Sequence, residues 1–440
     1  MLSAYFSSVA LTVHRSFDLL RVTFANAYEL YRAINLLAVG VFGEAEFWLS
    51  GGKVILILIL WFFTFISMVG GNPEGDAYGF RYWRNPGAFA ENRSEGSLGR
   101  FQGVLSALWS AAFTIVGPEY IAMAAAETKR PRIYIKTAFK TVYGRFVFFF
   151  ILGATCVGIV VPYNDPTLQA ILHGESSSAG AAASPYVIAM ENLGVSGLPH
   201  LVNALLITSI FSAGNTLTYC ATRSLYGLAL EGRAPSFLTR TTKKGVPWAA
   251  FTVTMAFPFL SFLSLSNTAS TVLGWLVSLI TAGALIDFFV MCVTYLQFYK
   301  ACKVQGIDRR TLPYYGRFQP YCAYIGIVVM VVVCLFYGYS AFDPWSVEAF
   351  FQNYTMQIVA PILFFGWKFG KRTKWLKPSE VDLVWEAPIV DAYEASFVDK
   401  PLGFWTEMLQ LIGFKRHLQD RRASVVGEVL PSPQEKDQRA

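Results

Sequence analysis

The chain has 440 residues, 54% of them hydrophobic and 16% aromatic, and only 15% are charged, against roughly a quarter in an average soluble domain. A mean hydropathy of +0.42 excludes an ordinary water-soluble globule and fits an integral membrane protein. The net charge of +7 does not call for nucleic acid, because the basic residues recur in short clusters between apolar runs, which is a topology signal.

Residues 1–32 include Arg15, Asp18, Arg21 and Glu29 and lack the long apolar core of a cleavable signal peptide. An apolar piece at 33–42 is too short to cross a bilayer, which takes ~20 residues. Eight candidate spans follow, at about 53–71, 102–126, 142–162, 200–222, 248–266, 271–297, 321–341 and 347–367. The mixed-charge loop 72–101 carries the sequon "NRS", a glycosylation candidate at Asn92. The segment 127–141 holds Lys129, Arg130, Arg132, Lys136 and Lys140, and 223–247 holds Arg223, Arg233, Arg240, Lys243 and Lys244. Basic residues gather again at 299–318 and after 367, whereas 163–199 has no Lys or Arg. Basic loops stay cytoplasmic, so charge alternates across every crossing after the second span and both termini are expected in the cytoplasm. The polar tail, 370–440, contains an amphipathic piece at 401–414 suited to the membrane surface.

Polar groups inside the spans carry the functional reading. "FTIVGPEY" (113–120) interrupts the second span with Gly117 and Pro118. Proline removes a helical hydrogen bond, and a broken helix is tolerated in a bilayer only where the freed backbone faces protein or water. Such breaks are substrate sites in transporters, where a half-helix end meets an anionic group; a plain proline kink is the other reading. Phe113 and Ile115 would wall a pocket, Thr114 adds a hydroxyl, and Val116, Gly117 and Pro118 expose backbone. Glu119 either bonds the open amides or carries a proton. On the fourth span Ser212 and Asn215 share a face with Thr216, either as helix glue or as site residues. Asp287 lies mid-span with no basic neighbour in sequence and is expected to face the bundle interior; it is a proton site or a bond to another helix. Glu127 is expected to pair with Lys129 or Arg130.

The six cysteines form no CxxC pair and the four histidines are scattered, so neither a metal site nor a cofactor is implied. No nucleophile elbow, P-loop or HExxH motif occurs, which argues against an enzyme.

Taken together, "GEAEFW" (43–48), "FRYWRNPGAFAE" (80–91), "FTIVGPEYIAMAAAETKRPR" (113–132), "VGIVVPYNDPTL" (157–168), "AAASPYVIAM" (181–190) and "SAGNTLTYCATRSLYGLALEGRAPSFL" (212–238) resemble the fungal amino acid permeases of the amino acid–polyamine–organocation superfamily. The resemblance runs over roughly 33–420, and "GPEY" is closest to the dicarboxylic or broad-range branch. It implies an all-helical, leucine-transporter-like fold of inverted repeats, with proton-coupled import of amino acids across the plasma membrane. Within it, 113–119 matches the unwound sixth helix, and residues 33–369 are the permease domain. Family-like sequence begins at what resembles the end of the fourth helix, so residues 1–32 are a non-family segment and half of the substrate site lacks a counterpart. The expectation is an N-terminally truncated permease that transports poorly. A channel, a non-transporting receptor or scaffold, and an inactive fragment are the rival readings.

Overall fold

A computed structural model describes residues 17–37, 39–128, 130–172, 184–260, 269–342, 344–385 and 387–397. The amphipathic piece expected at 401–414 lies outside them. Among the described residues the structure is helical and no strand forms. Two units divide the chain, Met1–Val381 and Asp382–Ala440; the second contributes one short helix, Ala387–Ala395.

Helix α1 is Phe17–Leu37 and α2 is Val39–Met68. The sequence reading starts the first span at 53, but the helix begins at Val39. Glu44, Glu46 and Lys53 make this stretch look too polar for a membrane until their partners are known. Trp48 Nε1 donates to Glu44 Oε1 at 3.0 Å, and Lys53 Nζ reaches Glu46 at 3.5 Å. Helix α3 (Gly96–Thr114) is followed by the four-residue α4 (Tyr120–Met123) and a tight turn at Ala125–Glu127. Helix α5 runs Pro131–Val160, with proline in its first turn, where a missing N–H costs nothing. Short helices α6 (Pro166–Leu172) and α7 (Pro185–Asn192) lead to α8 (Leu198–Leu230). Asp165 caps α6 by accepting from the amides of Thr167 and Leu168 at 2.9 and 3.0 Å, and its other oxygen accepts from Asn192 at the end of α7. Then come α9 (Trp248–Thr254), α10 (Ala269–Val304), α11 (Tyr321–Phe336) and α12 (Val347–Gly370).

Five described helices are long and apolar enough to cross a membrane: Val41–Met68, Pro131–Val160, Leu198–Leu230, Gly274–Val304 and Tyr321–Ala341. The expected span 102–126 is divided between α3 and α4. That at 248–266 is described only to 260, and α12 covers the one at 347–367.

The larger apolar core joins α2, α5, α7 and α8 through Leu56, Leu60, Phe63, Cys156, Ile159, Val187, Met190 and Val202. A smaller one joins α1 to α9 through Ala27, Tyr31, Phe251 and Met255. Phe62, Phe65, Val328, Leu335, Ile362 and Leu363 point outward and are exposed, which is the surface that lipid would cover. Because lipid is as apolar as leucine, close approach and polar contacts decide how such helices pair. Helices α1 and α8 illustrate this. Tyr31 is fully buried, stacks on Phe211 at 4.7 Å, and donates its hydroxyl to the Phe211 carbonyl at 3.2 Å. It fits only because position 214 is glycine: a Cβ there would stand 2.4 Å from the Tyr31 hydroxyl oxygen.

The loop after α2 is tied by its own polar groups. Asn72 Nδ2 donates to the Ser67 and Asp76 carbonyls at 3.0 and 2.7 Å. Arg81 grips both oxygens of Asp76 at 2.8 and 2.6 Å. This hydrogen-bonded guanidinium holds the Asp76 carboxyl below its ordinary range. A lowered folded value means that the tie acts above the unfolded pKa and is lost as pH falls through the folded one. Protection of the amides in residues 72–81, taken relative to the intrinsic exchange rate at each pH, should therefore fall on acidification below the usual carboxylate range, and Asp76→Asn should show the reduced protection at neutral pH as well. Separately, Gly214→Ala should lower thermal stability in detergent by about 1–3 kcal/mol, the usual cost of overpacking, and Tyr31→Ala in the same chain should recover part of the loss.

Candidate functional site

Helix α3 ends where the Ile115 amide bonds the Ala111 carbonyl at 3.1 Å. Gly117 then adopts φ +130°, a backbone that side chains with a Cβ rarely take, and Pro118 has no amide to give. The chain restarts with Tyr120 bonding back to Gly117 at 3.0 Å, Ile121 to Pro118 at 3.2 Å and Ala122 to Glu119 at 3.0 Å. Both carboxylate oxygens of Glu119 accept from the Gly117 amide, at 3.2 and 3.1 Å. The acid two residues on thus satisfies the donor that the break leaves free, as the first of the two expected roles for Glu119 requires. The amide that sequence reasoning offered to a substrate carboxylate is held by Glu119 in this arrangement. Phe113, Ile115, Val116, Pro118 and Glu119 are half-buried, and Thr114 is exposed.

Asp287 is exposed on α10, where a buried position was expected, and it lies within electrostatic range of Glu119 and Tyr120. Behind the break stands α8, whose buried Cys220 lies within the same range of Glu119. An open apolar hollow of about 500 Å³ borders the α3 side of the break; Phe89, Val104, Leu108, Ala111 and Tyr163 are among its lining residues. Among the described residues no group of three or more His, Cys, Asp or Glu could hold a metal ion. Asn92 is half-buried in the loop ahead of α3, its amide bonded to the Gly99 carbonyl at 3.1 Å.

Ser212 and Asn215 are fully buried, and their hydrogen bonds run to α1 and α2. The Ser212 hydroxyl donates to Glu46. Asn215 Oδ1 accepts from Asn35 Nδ2 at 2.8 Å, and Asn35 also donates to the Tyr31 carbonyl at 2.9 Å. The Asn215 amide nitrogen and Glu46 Oε2 are buried and meet no partner among the described residues. Glu46 was noticed in the sequence only as part of "GEAEFW"; nothing local pointed from it to Ser212, 166 residues on. Glu127 corrects an expectation. Of the two expected partners Lys129 lies outside the described residues; the bonds Glu127 makes across the fold are to α8, where it accepts from the Tyr219 hydroxyl and from Arg223 Nε at 2.5 Å. Those two residues sit four apart on α8 and so share a face.

Long apolar helices around a backbone break, joined by polar contacts such as those of the buried Ser212 and Asn215, define a multi-pass membrane protein. The sequence profile of the amino acid permease family matches residues 16–379, and the chain belongs to that family. It is similar to the general amino acid permease AGP2 of Saccharomyces cerevisiae, at 44% identity over 83% of this chain and 62% of that protein. It is also similar to the proline-specific permease of Emericella nidulans, at 39% over 80% and 64%. With the dicarboxylic amino acid permease of S. cerevisiae the identity is 34% over 82% and 60%. The chain spans about three-fifths of the length of these relatives.

Glu119→Ala should leave the Gly117 amide half-buried without an acceptor, costing about 1–3 kcal/mol, whereas Glu119→Gln keeps an acceptor oxygen and should lose less. Thermal unfolding of the two variants in detergent checks the order.

Proposed function

We propose that this protein moves amino acids across a membrane, with the 113–119 break as the substrate site and proton binding at Glu119 or Asp287 driving uptake. The observation that supports it most is the Gly117–Pro118 interruption with a carboxylate on its freed amide, inside a chain of the amino acid permease family. Phe113 and Ile115 receive the substrate side chain, Thr114 offers a hydroxyl, and Val116, Gly117 and Pro118 present backbone. Ser212 and Asn215 act from behind, by fixing α8.

Proton and substrate meet at one amide in this reading. Ionised Glu119 occupies the Gly117 N–H. A carboxyl that takes a proton is a weaker acceptor than a carboxylate, so protonation releases the amide to the substrate carboxylate. Asp287 lies within electrostatic range of Glu119, so it is the alternative carrier of the proton. The same reading places the protein in the plasma membrane, with both termini and the basic loops cytoplasmic and Asn92 on the outer side.

Uptake of radiolabelled neutral, basic and acidic amino acids by permease-deficient cells tests this. Weak, saturable uptake is expected. It should fall by about tenfold or more in Gly117→Ala, and Glu119→Gln should lose its dependence on external pH between roughly pH 5 and 8. Uptake that ignores both changes overturns the site. Conductance without saturation indicates a pore, and partner binding without uptake indicates a scaffold.

A further inference from the structure

The far end of the interrupted helix carries a second device. We propose that Glu127, Tyr219 and Arg223 form a clamp that holds the second half of the broken helix against α8, and that its release opens a path from the break to the side of the membrane where α5 begins. This rests on the transport reading for its role in a cycle, but not for its existence.

Helix α4 has four residues, too few to keep a position by itself. What fixes it to α8 is side-chain chemistry at and just beyond its end. Glu127 Oε2 accepts from the Tyr219 hydroxyl, and Oε1 accepts from Arg223 Nε at 2.5 Å. The Arg223 guanidinium also stands over the Tyr219 ring, 4.7 Å from its centre, and that ring stacks on Phe42 of α2 at 4.3 Å and 13°. One turn away, the Ser224 hydroxyl donates to Met123 Sδ at 3.4 Å. Two side chains of α8 therefore converge on one carboxylate, and α2 packs against one of them. The Arg223 and Glu127 side chains are 13% and 24% exposed. That is sheltered enough for the pair to exceed a surface ion pair, yet open enough for water to replace it when it parts.

The clamp also closes over a reporter. Cys220 follows Tyr219 on α8, is 4% exposed, and lies within electrostatic range of both Glu119 and Arg223. It occupies the ground between the break and the clamp. If the second half of the broken helix leaves α8, Cys220 becomes reachable by water.

The test is labelling of the full chain, in sealed vesicles of each orientation, with a charged methanethiosulfonate reagent, resolved by peptide mass spectrometry. Cys156, buried on α5 in the apolar core, is the internal control. Glu127→Gln and Arg223→Gln should each raise Cys220 labelling by about tenfold from one face only, with Cys156 unchanged. The reversed pair, Glu127→Arg with Arg223→Glu, should restore protection. Unchanged Cys220 labelling overturns the clamp. So does labelling that rises equally at Cys156, which signals general loosening, or protection that the reversed pair does not restore. Uptake in the same cells decides the transport reading separately, since labelling needs no transport.

Discussion

A backbone amide in a membrane interior must find an acceptor within the protein, and the break at Gly117 and Pro118 depends on that rule. Proline deletes one helical bond and the positive φ of Gly117 forbids another. Glu119 answers locally, with both oxygens on the orphaned amide. The acid and the interruption are therefore one structural unit. The charge would be expensive without the amide and the amide expensive without the charge. A carboxylate held in this way is also replaceable, because any other anion of similar shape can make the same contact.

Helix α8 binds the surrounding elements together through a single stripe. Ser212, Asn215, Tyr219 and Arg223 are spaced three, four and four residues apart and so line one face. Together they reach three neighbours: Ser212 meets Glu46 on α2, Asn215 meets Asn35 on α1, and Tyr219 and Arg223 share Glu127 beyond α4. In lipid, where apolar packing offers little preference between helix partners, such contacts contribute about 0.6–2 kcal/mol each. The stripe sets which helices meet and in what register, leaving the bulky apolar residues to face outward.

What the sequence disclosed follows from what is local. Gly, Pro and Glu in succession within an apolar run were enough to locate the interruption, because each has a cost that only a special environment offsets. The shared face of Ser212 and Asn215 was legible from their spacing. Their partners were not, since Asn35 and Glu46 lie 180 and 166 residues away in the chain. Glu127 was assigned to Lys129 or Arg130 for the same reason: adjacency in sequence was the visible cue, and Arg223, 96 residues on, was not. The early start of α2 was hidden because Glu44, Glu46 and Lys53 look like loop residues until the contacts that neutralise them are in view. Asp287 was expected inside, since a charge on an apolar helix is costly; it stands exposed and near Glu119 instead.

The notch at Gly214 limits how the helices can travel. A phenol ring seated there, stacked on Phe211 and bonded to its carbonyl, works as a key in a slot. Sliding α1 along α8 by one turn, ~5.4 Å, would drive that ring against a residue with a Cβ. Translation is thereby blocked while tilting is allowed. The slot locks the register of these two helices, whereas the four-residue segment after the break owes its place to side-chain bonds beyond its end.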